Sequence, residues 1–140
     1  KDAPRYMLGG AKPEQLVRAV REGIDMFDCV IPTRNGRHGS AFVFKKNFKS
    51  LIVSGKKFYD AIEIRKGRHA EDTKPLDPNH CNQKCCLPRA GSRGFPSRSY
   101  LRHLFITQEP LAQRYLTIHN LNFYHTLVRT IRELIFARKF

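Results

Sequence analysis

An α/β fold is the expectation for this chain, and three features of the sequence point to it. A short β-type run, Arg5 to Gly10, is followed by a helical stretch opened by Pro13 and then by a mostly apolar run, Ile24 to Ile31. Strand, helix and strand within about 30 residues make a βαβ unit with parallel strands. The Ile24 to Ile31 run, bounded by Gly23 and Pro32, suits a strand buried on both faces, as parallel sheets require. From Ser97 onward the apolar spacing becomes helical. At 140 residues the chain fits one ordinary domain and falls well short of the roughly 250 that a closed eight-fold β/α barrel takes, so any barrel here is incomplete.

Each element has a local cause. In the first helix Pro13 occupies the opening turn, where its missing N–H costs nothing. Leu16, Val17, Ala19 and Val20 form its apolar face, Glu14, Gln15, Arg18, Arg21 and Glu22 lie mostly elsewhere, and Gly23 ends it. The segment Thr33 to Ser40, TRNGRHGS, reads as a turn, with Asn35, Gly36 and Gly39 giving backbone freedom. A basic and aromatic stretch follows to Arg68, in which Lys49 to Ser54 and Ala61 to Ile64 read as short strands. Asp72 to Pro96 holds four prolines and three of the four cysteines and reads as a loop-rich module. Tyr100, Leu101, Leu104 and Phe105 then mark a helix that Pro110 interrupts, and a helix or helix pair covers Leu111 to Lys139. Leu127, Ile131, Leu134 and Ile135 line one face of it, with Arg129, Arg132 and Arg138 outward. Residues 1–70 and 71–140 are the two parts of this organisation.

Composition narrows the function. With 26 Lys and Arg against 12 Asp and Glu, the net charge is +14, which calls for a polyanionic partner such as nucleic acid or an acidic membrane face. No stretch approaches the 18 apolar residues of a membrane span, and KDAPRYMLGG lacks the apolar core of a secretory signal. Most of the charge excess falls in residues 41–70 and 111–140. In the first of these, Phe42, Phe44, Phe48, Phe58 and Tyr59 alternate with Lys45, Lys46, Lys49, Lys56 and Lys57, the mix that nucleic-acid surfaces use. Core packing accounts for the same aromatics equally well.

Three constellations carry chemistry. Asp28, within IDMFDCVIP, is an acid among apolar residues and is costly to bury ionised unless hydrogen-bonded or used. One reading makes it a strand-end acceptor for N–H groups of the following turn. The other makes it a nucleophile or base at the C-terminal end of a parallel strand, where barrel enzymes place reacting groups. Arg34 and Arg37 follow directly, able to grip phosphates or base edges bidentately or simply to be solvated. Cys81, Cys85 and Cys86 stand beside His80, with His119 downstream; reduced thiols in this density favour zinc over disulfides, and zinc needs four ligands. Adjacent Cys85 and Cys86 are awkward partners for one ion. Cys29 reads as a core residue, and His38, His69, His103 and His125 as surface or helix-packing residues.

Taken in order, PRYMLGGAKPEQL, GIDMFDCVIPTRNGRHGSAF, DTKPLDP, SRSYLRHL and IHNLNFY resemble successive signatures of the tRNA-guanine transglycosylase family, the bacterial type most closely. The resemblance implies the C-terminal portion of a (β/α)8 TIM barrel with a zinc-binding subdomain and C-terminal helices. It implies exchange of guanine at the wobble position of GUN anticodons for a 7-deazaguanine, queuine or its precursor. Asp28 matches the family's nucleophile, and double displacement through a covalent RNA intermediate retains configuration. Tyr6, Leu8 and Gly9 fall where the family lines its base pocket. Gly9, Gly10, Ala11, Lys12, Pro13, Glu14 and Gln15 match one RNA-contacting segment, and Thr33, Arg34, Asn35, Gly36 and Arg37 another. Cys81, Cys85, Cys86 and His119 correspond to the ligands of one structural Zn2+, with His80 a competing ligand in an ungapped register from Asp77. The resemblance further implies a cytoplasmic location and a homodimer in the complete enzyme, with pairing to a related subunit the alternative.

Departures from the family pattern are specific. Met7-Leu8 stands where Leu-Met is usual, and Gln83 occupies the middle position of the Cys-x-Cys-x-x-Cys motif. Residues around Lys45 to Lys57 and Leu87 to Pro96 look inserted. The family's second Asp, a general acid/base, belongs to an N-terminal half with no counterpart here, and Asp25 points to the opposite strand face from Asp28. A second reading is therefore a non-catalytic, zinc-stabilised tRNA-binding module.

Overall fold

The computed structural model describes residues 3–9, 12–78 and 96–140. Gly10, Ala11, His80, Cys81, Gln83, Cys85 and Cys86 lie outside the described residues. The expected βαβ unit is present: β1 (Tyr6–Met7) and β2 (Met26–Phe27) pair in parallel, Tyr6 with Met26 and Met7 with Phe27, around α1 (Pro13–Arg21). Pro13 opens α1 buried, Leu16 and Val17 pack inward, and Gly23 follows with φ +86°, a conformation that glycine adopts without Cβ strain.

The second strand is far shorter than Ile24 to Ile31, and Met26 is 44% exposed rather than buried. Chain direction changes at Ile31, where α2 (Ile31–Arg37) begins with Pro32 in its first turn. TRNGR is thus helical, not a turn. Tertiary packing explains the difference: a Cβ on Gly36 would lie 2.7 Å from the backbone nitrogen of Thr117, so only glycine lets α2 approach the long helix behind it this closely.

A hairpin follows. β3 (Ser40–Phe44) and β4 (Tyr59–Glu63) are antiparallel, Ser40 opposite Glu63 and Phe44 opposite Tyr59, with α3 (Phe48–Val53) between them. Lys49 to Ser54 was expected as a strand, yet Phe48, Leu51 and Ile52 recur at helical spacing and face the same core. The 3-10 turn Gly67–His69 leads to α4 (Arg98–Ile106), whose start is capped by the Ser97 hydroxyl accepting from Tyr100 N–H at 3.1 Å. A single helix, α5 (Pro110–Phe136), spans 27 residues.

α5 organises the rest. Leu116, Phe123, Leu127 and Ile131 are buried along it, and Arg129, Arg132 and Arg138 face solvent as expected, although Ile135 is exposed. One core cluster joins Leu16 and Val17 of α1, Phe42 and Phe44 of β3, Ile52, Phe58 and the α5 residues Phe123, Tyr124, Leu127 and Ile131. A second gathers Ala41, Ile64, Leu76, Leu101 and Leu116. The aromatics interleaved with lysines belong to the first cluster: Phe44 stacks on Phe123 at 4.0 Å between ring centroids, and Phe42 meets Tyr59, Phe123 and Tyr124. Their role is packing, not base stacking. Lys45 and Lys57 pair with Asp60, and Lys49 with Glu133. No described helix is long and apolar enough to cross a membrane.

Asn120 locks these layers together. Fully buried on α5, it accepts from Phe42 N–H at 3.0 Å and donates to the carbonyls of Pro32 at 3.0 Å and Ser40 at 2.9 Å. One amide group satisfies three backbone groups of α2 and β3 that would otherwise be stranded in the core.

Candidate functional site

The parallel pair ends in a carboxylate. Asp28 follows β2 directly and is exposed, so the desolvation cost anticipated for an acid among Ile, Met, Phe, Cys and Val does not arise. Its hydrogen bond comes from the residues after the neighbouring strand: Gly9 N–H donates to Asp28 Oδ1 at 2.7 Å. The Asp28 carboxylate nearby, with some desolvation, raises the Tyr6 phenol above its ordinary value. Gly9 sits at φ +95°, a left-handed conformation that glycine allows and that turns its N–H toward the acid. Asp25 accepts instead from Arg5 N–H at 2.8 Å, apart from this group.

Leu8, between Tyr6 and Gly9, is 80% exposed, and Val30 on the other side of Asp28 is 63% exposed. An open apolar surface therefore flanks the carboxylate. Tyr6, Leu8, Gly9 and Asp28, expected together from the sequence, are brought together here.

The expected RNA-contacting segments divide. In the first, Lys12 is exposed, but Pro13 is buried, the Gln15 side chain accepts from Lys12 N–H at 2.8 Å and caps α1, and Glu14 accepts a hydrogen bond from the Tyr59 hydroxyl. Burial and that bond to Glu14 push the Tyr59 phenol up. Glu14 and Gln15 thus tie α1 to its surroundings. In the second segment Thr33 Oγ1 donates to Val30 carbonyl and Gly36 faces α5, whereas Arg34 and Arg37 are exposed one turn apart on the outer face of α2. Two cations, held on a helix rather than a loose loop, stand just downstream of the carboxylate.

His119 lies on α5, only 5% exposed, with Nε2 2.6 Å from the Phe42 carbonyl oxygen. A carbonyl only accepts, so Nε2 carries the proton and Nδ1 is the nitrogen with the lone pair. Histidines that ligate metals through one nitrogen commonly anchor the other on a carbonyl in this way. No group of three or more His, Cys, Asp or Glu side chains able to hold a metal occurs among the described residues, and the expected cysteine ligands are outside them. The two flanks of residues 79–95 are nevertheless joined: Pro75 bridges Ser97, and Arg98 donates to Leu76 carbonyl at 3.0 Å and to Asp72 at 3.1 Å.

Sequence reasoning missed the polar groups around that junction. Asp72 accepts from Lys74 N–H, Arg98 and His69, and His69, expected at the surface or in helix packing, is buried on the 3-10 turn. Burial works against the charged Asp72 carboxyl, but those hydrogen bonds outweigh it and hold the group below its usual range. Cys29 is partly buried against the first core cluster, as expected, and the Tyr124 phenol beside it is raised mainly by burial. Asp77, fully buried, accepts from Phe44 N–H at 3.0 Å. The run DTKPLDP spells both acids, yet nothing in their spacing distinguishes them from a loop.

Comparison with known proteins gives a consistent result. The family model described as "Queuine tRNA-ribosyltransferase" matches residues 1–140. A protein of that name from Photobacterium profundum is 44% identical over 140 residues, covering 100% of this chain and 32% of its own length. Another from Vibrio parahaemolyticus is 44% identical, with 31% of its length covered, and one from a Psychrobacter species is 42% identical over 139 residues. The chain spans about a third of the length of these relatives.

Proposed function

The chain belongs to the queuine tRNA-ribosyltransferase family, and from that premise we propose that it is the C-terminal part of a tRNA-guanine transglycosylase. It would supply the last strands of a (β/α)8 barrel, a zinc-binding subdomain and the nucleophile. One observation carries this reading: an exposed carboxylate, Asp28, at the C-terminal end of a parallel strand, oriented by Gly9 N–H.

In the proposed reaction an Asp28 oxygen attacks C1′ of the wobble ribose as the C1′–N9 bond to guanine breaks. Guanine leaves with the bonding electrons and takes a proton at N9 from a general acid outside this chain. A 7-deazaguanine that has given up its N9 proton then attacks C1′ and releases the carboxylate, and two inversions retain configuration. Arg34 and Arg37 would hold phosphates of the anticodon loop, whose GUN sequence is the expected target, and the guanine must be extruded from the stack to reach Asp28. Leu8 and Tyr6 would border the base.

His119 would ligate one structural Zn2+ through Nδ1 together with Cys81, Cys85 and Cys86, or with His80 in place of one of them. The ion would supply a fold-stabilising crosslink there. The complete enzyme would be a homodimer. Exchange of labelled guanine into tRNA tests the reading, with the chain assayed alone and with the N-terminal part of a curated relative. Incorporation that requires the added part and disappears in Asp28→Ala supports it; incorporation that survives the substitution removes the nucleophile assignment.

A further inference from the structure

A further group of cations lies where β4 ends, outside both of the expected RNA-contacting segments. Arg65, Lys66 and Arg68 are exposed there, on the chain that leads into the 3-10 turn Gly67–His69. The hairpin brings this turn against the end of α2, because Ile64 N–H donates to the Gly39 carbonyl at 2.8 Å and Ser40 lies opposite Glu63. Arg37 stands just before that junction and Arg65 just after it. Glu63 occupies Arg65, its Oε1 accepting from Nε at 3.1 Å. Lys66 and Arg68 make no ion pair among the described residues.

Arg68 is held from below. Its Nε donates to Nε2 of the buried His69 at 3.2 Å. An arginine only donates, so His69 Nε2 carries the lone pair and Nδ1 the proton, which faces Asp72 Oδ2 at 3.4 Å. Asp72 accepts in turn from Arg98 at 3.1 Å, and Arg98 donates to the Leu76 carbonyl at 3.0 Å. One end of this relay is anchored on α4, and the other is a guanidinium whose Nη groups have no partner among the described residues. Ordering a side chain beforehand reduces what a ligand contact costs in rotamer freedom.

We propose that the turn from Arg65 to Arg68 is a phosphate-binding surface that continues the cationic face of α2 and takes the backbone of the same tRNA. The inference deepens the transglycosylase reading and rests on its RNA partner, not on the role of Asp28. Charge complementarity selects the partner, since Lys66 and Arg68 add two uncompensated cations beside Arg37 on a chain of net charge +14. The two differ in what they supply. A guanidinium takes two phosphate oxygens in a fork, and an ammonium adds a point charge. The turn carries no aromatic side chain on which a base could stack, so it positions RNA without reading its sequence.

The test measures binding of a tRNA with a GUN anticodon as a function of salt, in the chain completed by the N-terminal part of a curated relative. Lys66→Ala and Arg68→Ala are each expected to reduce the slope of log K against log salt by about 1. Lys66 makes no side-chain hydrogen bond among the described residues, so its variant probes the surface with the fold undisturbed. Arg68→Lys keeps the charge but loses the fork and the bond to His69. Its slope is expected to stay while affinity at fixed salt falls roughly threefold, and wild-type affinity overturns the part given to the held guanidinium. Slopes unchanged in both alanine variants, with Asp28-dependent guanine exchange intact, overturn the inference and leave the transglycosylase reading standing. Slopes that fall in a protein that exchanges no guanine support the inference and count against that reading. Loss of binding to vesicles of anionic phospholipid, with the tRNA slope unmoved, gives the surface to a membrane and overturns the inference.

Discussion

Gly9 N–H and Asp28 Oδ1 lie 2.7 Å apart, so the acid at the end of β2 is oriented by the strand beside it. The acid needs no further restraint from its own turn, and an adjacent strand is a rigid support. Asp28→Asn keeps the shape and removes the proposed nucleophile. In the complete protein, guanine exchange is expected to fall by roughly 10⁴-fold or more, with no covalent adduct, and residual exchange within tenfold of wild type would exclude the assignment.

Gly36 contacts the Thr117 backbone, where a Cβ would approach within 2.7 Å. Alanine is the better helix former by about 1 kcal/mol, but here a backbone atom stands in the way and cannot yield as a side-chain tip would. Gly36→Ala is expected to lower stability by about 1–3 kcal/mol in urea denaturation. Unchanged or increased stability would mean that α2 and α5 part without cost.

Asn120→Ala strands the Phe42 N–H and the Pro32 and Ser40 carbonyls. The expected loss is at least the ~1–3 kcal/mol of one buried unsatisfied group. Amide exchange at Phe42 gives an independent check, since it accelerates when its acceptor is removed and stays slow if a water replaces it.

Acid should weaken the junction that joins residues 72–77 to α4. The folded Asp72 carboxyl lies below its unfolded value of 3.8, so the stability it contributes is fully present above that value and is lost as pH falls through the lower folded value. Asp72→Asn should flatten this acid limb of the stability profile. An unaltered limb would place its origin elsewhere.

Arg34 and Arg37 are both exposed on one face of α2. If each contacts a phosphate, replacing either by Ala reduces the slope of log K against log salt for tRNA binding by about 1 and weakens binding to all sequences similarly. A slope that stays constant would show that neither arginine touches the backbone.

Much of this arrangement is legible in the sequence, and the misreadings share a cause. Pro13, the apolar face of α1 and Gly23 announce the βαβ unit because each acts locally. Asn35-Gly36 carries the same letters as a turn, but Gly36 is there for Thr117, 81 positions away, and no local pattern reveals that. Lys49 to Ser54 contains Leu51, Ile52 and Val53, which favour strands, while the spacing of Phe48, Leu51 and Ile52 favours a helix, and the core they face settles it. Phe42 and Phe44 sit among lysines in one dimension and against Phe123 in three. Asp28 itself is visible as an acid in a mostly apolar run; Gly9, which donates to it, is visible only as part of the base pocket and of an RNA-contacting segment.

The clamp between Gly36 and Thr117 also sets what kind of reader α2 can be. A helix pinned from behind fixes the two Cα atoms from which the Arg34 and Arg37 side chains reach, about 4.5 Å of rise apart along its axis. In the proposed tRNA complex it would be a fixed mount, leaving only the two side chains to adjust to the phosphates they meet.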